Sequence, residues 1–180
     1  MLKYCLHSLI LTTLALPLPS LFAKGLYEKI SPACVEILVG GRLDGSGAIV
    51  CPSGLVLTAC HVIRKQSKRY EALSPELGRK PLSLIATYRG SDLALLKLPA
   101  SKKPYPALPL AREVPPAGKP VFLLGSPIFR HHLLLRGAIA RRTETYSWYD
   151  GAFTNTIPIS GIGAPGSSGG PWVNARGEII

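Results

Sequence analysis

An all-β fold, an antiparallel barrel or sandwich, is what this sequence predicts, and three observations predict it. Its apolar runs are short and evenly spaced. Glycine and proline are abundant, 18 and 17 among 180 residues. No stretch carries the capped helical period that a parallel α/β fold requires. At this length one domain with a short appendage is expected, and 47% hydrophobic residues suffice for a core.

The appendage comes first. Lys3 forms a small positive start, Leu9 to Leu18 is apolar, Pro17, Pro19 and Ser20 break the run, and Ala23 offers a cleavage point before Lys24. A membrane anchor needs ~20 uninterrupted apolar residues, and this run is shorter. The expected division is therefore a signal peptide over 1–23 and one domain over 24–180, in a secreted or periplasmic protein without a transmembrane span once cleaved.

Within that domain, Cys34–Val39 and Gly45–Val50 read as the first strands. Leu55–Ala59 follows the Pro52-Ser53-Gly54 turn and makes a hairpin. Leu82–Tyr88 and Leu93–Leu98 flank Arg89-Gly90-Ser91-Asp92. Val121–Leu124, Leu133–Ala140, Ala152–Ile157 and Pro171–Val173 complete the set. Tyr70–Pro81 and Ala100–Pro120 are Pro-rich or charged and read as surface loops.

Loss of Lys3 with the leader leaves 20 basic against 10 acidic residues. Basic side chains gather at Arg64, Lys65, Lys68 and Arg69, and again from Arg130 to Arg141 and Arg142. Neither aromatic interleaving nor a nucleic-acid motif accompanies them, so a solvated basic face is expected and no specific nucleic acid. Cys34, Cys51 and Cys60 remain, an odd number that rules out a disulfide scaffold. Along the hairpin Cys51 and Cys60 stand roughly 20 Å apart, beyond the ~7 Å that a disulfide spans between Cα atoms, so free and mostly buried thiols are expected.

Three segments carry chemistry. In Gly166-Ser167-Ser168-Gly169-Gly170-Pro171, glycines permit a tight turn that exposes a serine and aims backbone N–H groups at one spot. A serine hydroxyl needs a base to become a nucleophile. The same segment also fits an ordinary Gly/Ser loop. Leu57-Thr58-Ala59-Cys60-His61-Val62 places a histidine at the end of an apolar strand, where it suits general-base work or a purely structural role. Ser91-Asp92-Leu93-Ala94-Leu95-Leu96 opens an apolar strand with a carboxylate that needs a partner, and a ring N–H of His61 would be one. Asp44 and Asp150 stand beside glycines and read as turn residues. His131 and His132 lie in a loop without such a setting.

Taken in order, these segments resemble the trypsin/chymotrypsin-type serine peptidases, most closely the bacterial HtrA/DegP-like branch. The order His, Asp, Ser is that of the chymotrypsin fold. Gly45-Ser46-Gly47-Ala48-Ile49-Val50, Leu124-Gly125-Ser126-Pro127 and Asn174-Ala175-Arg176-Gly177-Glu178 are similar to further stretches of that branch, and the likeness covers roughly residues 31 to 180. Cys60 before the histidine and Ser167 before the serine depart from its pattern.

The resemblance implies two six-stranded antiparallel β-barrels with the site between them, the second incomplete because the chain stops at Ile180 inside an expected strand. It implies a serine endopeptidase with polypeptide substrates and an acyl-enzyme intermediate. His61, Asp92 and Ser168 would be the triad, and the backbone N–H groups of Gly166 and Ser168 the oxyanion hole. Ile162, Gly163 and Ala164 would form the base of an apolar specificity pocket that prefers small or medium apolar P1 residues. No metal and no organic cofactor are expected. The alternative is a catalytically inactive, truncated fold of this type acting as a binding module.

Overall fold

The computed structural model describes residues 19–63, 69–141, 143–148 and 151–180. It opens with α1 (Pro19–Ile30). A proline at the first helical position lacks an N–H the helix does not use there. Pro19 thus starts a helix where the sequence suggested a break, and the expected cleavage point after Ala23 falls inside it. The rest of the expected leader lies outside the described residues. Leu26 and Ile30 are buried and join α1 to the core.

Six strands follow: β1 (Cys34–Val39), β2 (Arg42–Cys51), β3 (Leu55–Ala59), β4 (Tyr70–Ser74), β5 (Gly78–Tyr88) and β6 (Leu93–Lys97). They close into an antiparallel barrel in the order β1-β2-β3-β6-β5-β4. Gly40 and Gly41, both with positive φ, link β1 to β2 in two residues, the geometry that matches strand twist. Val56 and Leu96 are opposed across β3 and β6 and are fully buried with Ile37 and Ile49. Burying one such side chain stabilises the fold by about 1.5–3 kcal/mol.

The chain then crosses to the second half, pinned where Tyr105 N–H donates to Pro52 O at 3.0 Å and Leu108 N–H to Ile49 O at 2.9 Å. There it forms β7 (Pro120–Gly125), β8 (Leu133–Ile139), β9 (Glu144–Trp148), β10 (Gly151–Thr156), β11 (Ile159–Gly161) and β12 (Trp172–Val173). β11-β8-β7-β12 make one sheet and β10-β9 another. A second closed barrel is therefore not present among the described residues.

Two sequence readings are corrected here. Tyr70–Pro81 is not a surface loop: it contains β4 and the start of β5, which complete the barrel. Asp44 lies within strand β2 and not in a turn; Asp150, Arg64, Lys65, Lys68 and Arg142 lie outside the described residues. Cys34, Cys51 and Cys60 are free thiols, with Cys34 and Cys60 buried and Cys51 half-buried. No helix among the described residues is long and apolar enough to cross a membrane.

Candidate active site

His61 sits on the 3-10 turn Cys60–Ile63 that ends β3, and Asp92 immediately precedes β6, the strand paired with β3. Ala59 is opposite Leu93, so strand register alone brings the two residues together. Cys60 N–H donates to Asp92 O at 2.8 Å and fixes the turn against the strand. The carboxylate then takes two bonds from one residue. His61 backbone N–H donates to Oδ1 at 2.9 Å, and His61 Nδ1 lies 2.5 Å from Oδ2. A carboxylate at Nδ1 holds the proton there, which leaves Nε2 as a base. The His61 side chain is 46% exposed and Asp92 23%, so the histidine faces solvent with its orienting partner behind it.

Ser168 comes from the second half, in a turn held by the first barrel. Ser46 N–H on β2 donates to Ser168 O at 2.7 Å. Ser46 Oγ donates to Gly166 O at 2.7 Å, and Thr58 Oγ1 donates to Ser46 O at 2.6 Å. Gly166 and Gly169 have φ of +95° and +78°, which residues with a side chain rarely adopt. A Cβ on Gly166 would strike Ser126 O, and one on Gly169 would strike Thr58 Oγ1 and Ser46 O. Glycine is thus required twice over, by dihedral angle and by space.

Among the described residues, neither the Gly166 nor the Ser168 amide N–H donates to an acceptor within the protein, whereas Ser167 N–H donates to Ala164 O at 3.0 Å. Unspent amide donors on a tight turn are available to a developing oxyanion. The Ser168 hydroxyl makes no hydrogen bond to His61 or to any other described residue. Ser167 Oγ is buried and has no hydrogen-bond partner.

A cleft of about 540 Å³ lies along this turn, lined by Leu123, Gly163, Ala164, Pro165, Trp172 and residues 167–170. Gly163 and Ala164 thus border Ser168. Ile162 does not line the cleft and stands 72% exposed. No carboxylate lines it, and among the described residues no group of three or more His, Cys, Asp or Glu side chains is placed to hold a metal ion. Sequence reasoning gave no part to Ser46, Thr58 or Ser126, although all three lie in stretches it singled out. Their signal was a hydroxyl on an otherwise apolar buried strand or beside glycine, where a buried polar group must have a partner.

The family model for a trypsin-like peptidase domain matches residues 45–180. Serine protease HTRA2, mitochondrial, of Bos taurus is 30% identical over 88% of this chain and 37% of its own length. A probable periplasmic serine endoprotease DegP-like of Pseudomonas fluorescens is 32% identical over 76% of this chain and 28% of its own length. The chain thus spans about a third of the length of such relatives. Among solved structures, the serine endoprotease from Yersinia pestis superposes with a TM-score of 0.73 at 23% identity, over 88% of this chain and 55% of that one. The MamO protease domain from Magnetospirillum magneticum gives 0.73 at 25%, over 86% and 84%. With a closed barrel, a histidine–aspartate pair and a glycine-bounded serine turn in family order, this chain belongs to the trypsin-like peptidase domain family and has HtrA/DegP serine proteases as its relatives.

Proposed function

We propose that the chain is a serine endopeptidase that cleaves polypeptides through His61, Asp92 and Ser168. The observation that carries this reading is the double hydrogen bond from His61 to Asp92, set beside a serine turn whose Gly166 and Ser168 amides are unspent. In the reaction, His61 Nε2 takes the Ser168 proton as Oγ attacks the substrate carbonyl carbon. The two amides receive the resulting oxyanion, and the imidazolium, steadied by Asp92, gives its proton to the leaving amine. Water then repeats the sequence in reverse roles and frees the acyl group from Ser168. The Ser168 hydroxyl need not touch His61 in the free enzyme, because such bonds often tighten only with substrate.

Gly163 and Ala164 in the cleft wall, with no carboxylate to meet a cation, favour a small apolar P1 side chain. A lysine or arginine there would lose hydration without compensation. Ile162 is too exposed to act as a floor, so the reading rests on its two neighbours. A secreted or periplasmic location follows the leader-like start and suits the periplasmic name of the Pseudomonas relative.

Fluorophosphonate labelling followed by peptide mapping tests the mechanism. The adduct is expected on Ser168 and is lost in Ser168→Ala. Single removal of Ser168 or His61 is expected to lower turnover by about 10⁶, and the double variant to be no worse, as in another serine peptidase whose triad members act as a unit. Label on Ser167, or hydrolysis undiminished by Ser168→Ala, refutes the assignment.

A further inference from the structure

Glu36 is a charged residue in the middle of β1, only 3% exposed, in a strand where every residue is buried. The reaction does not use it, and a buried carboxylate is costly unless it is bonded. Two groups of the second half bond it. Ser126 Oγ donates to Glu36 Oε1 at 2.5 Å, and His131 Nδ1 lies 2.5 Å from the same oxygen.

The residue opposite Glu36 across β1 and β2 is Ser46, the hydroxyl that holds Gly166. Ser126 ties the two together. Its side chain donates to Glu36, its backbone N–H donates to Ser46 Oγ at 3.2 Å, and its carbonyl oxygen occupies the space that a Gly166 side chain would need. An unbroken path therefore runs from the buried carboxylate through two serines to the turn that presents Ser168.

The segment after Ser126 carries strain that this fastening holds in place. Ile128, Phe129 and His132 have φ of 50°, 57° and 51°, a left-handed conformation that residues other than glycine avoid. Such strain persists only where surrounding bonds over-determine it. Here the bonds are His132 N–H to Ser126 Oγ at 3.2 Å, His131 to Glu36, and Ile128 N–H to Pro165 O at 2.8 Å. The last of these reaches the wall of the cleft.

We propose that Glu36 is a positioning residue for the peptidase site: its carboxylate fixes Ser126, and through Ser126 and Ser46 it sets the Gly166–Ser168 turn. The idea rests on Ser168 being the nucleophile, but its test separates the two. Ser126→Ala, Glu36→Ala and Glu36→Gln are made in the full chain. Hydrogen–deuterium exchange of a peptide covering 164–170 reads the turn without any catalysis, and kcat and KM read the consequence.

Ser126→Ala and Glu36→Ala should each speed exchange at 164–170 about tenfold or more while β3 and β6 keep parental protection, the size expected for a lost bond to a charged acceptor. Both should lower kcat about tenfold or more and move KM less than about twofold, because only the transition state uses the aligned amides. Glu36→Gln keeps an oxygen for the Ser126 hydroxyl and should restore most of both readouts. Parental exchange at 164–170 in Ser126→Ala overturns the proposal, as does a Glu36→Gln protein no better than Glu36→Ala. If Glu36→Ala fails to fold, Ser126→Ala, which loses one oxygen atom, decides alone. A parent that neither hydrolyses peptides nor labels at Ser168 would refute the peptidase reading, while the exchange data would still decide the role of Glu36.

Discussion

Asp92 occupies a left-handed backbone conformation, φ 51° and ψ 39°, which aspartate and asparagine tolerate better than most residues. Asp92→Asn therefore keeps the turn but replaces one acceptor oxygen with a donor. Nδ1–H of His61 then loses its acceptor and the imidazole favours the wrong tautomer. The expected result is a kcat lower by about 10⁴ with little change in Tm, the loss that the equivalent change causes in a chymotrypsin-type triad. A loss under about tenfold would show that Asp92 does not orient His61. The cysteines give a second prediction. Hydrogen bonds from Ser53, chiefly its side chain, and the charge of Lys97 hold the Cys51 thiol below its ordinary value. Burial, aided by the charge of Glu76, pushes the Cys34 thiol far above it. Cys51 should thus become reactive to iodoacetamide at a lower pH than free cysteine does, and Cys34 only on unfolding; equal labelling of the two in folded protein would contradict this.

The turn 166–170 behaves as one element, gripped by β2 and β3 on one side and by Ser126 on the other. Gly169→Ala should cost about 1–3 kcal/mol from backbone strain alone, and more from the collision with Thr58 and Ser46. Chemical denaturation and peptide hydrolysis together check it: parental stability with parental activity would mean that the turn adapts freely. β1 and β3 were legible in the sequence to the residue, because β-branched and aliphatic side chains dominate both and glycine turns bound them, Gly40-Gly41 after β1 and Pro52-Ser53-Gly54 before β3. β4 and the start of β5 were not. Tyr70-Glu71-Ala72-Leu73-Ser74 is too short and mixed for alternation to show, and Pro81, opposite Glu71, is a residue that argues against a strand. Tertiary closure of the barrel overrides both signals. The candidate triad was legible because each of its residues stands in a local context with a chemical meaning. The supports at Ser46 and Glu36 were not, since their partners lie 80 to 120 residues away in sequence.

At the scale of the molecule, a formal net charge of +11 gives the chain a positive long-range field. Peptides with acidic residues flanking an apolar P1 should therefore be cleaved with a kcat/KM that falls as salt rises, and neutral peptides should respond much less. A parallel response of both sets would remove steering as the cause. One contact of α1 matters at this scale too. Lys29 Nζ donates to Arg176 O at 2.6 Å across 147 residues of sequence, and Ile30 packs beneath Gly177, whose missing side chain leaves it room. A ribosome delivers these partners far apart in time. Until residues 174–178 are made, Lys29 has no Arg176 carbonyl to bond and Ile30 lacks the contact with Gly177. One of the first pieces of the core to be made thus completes its contacts only with one of the last.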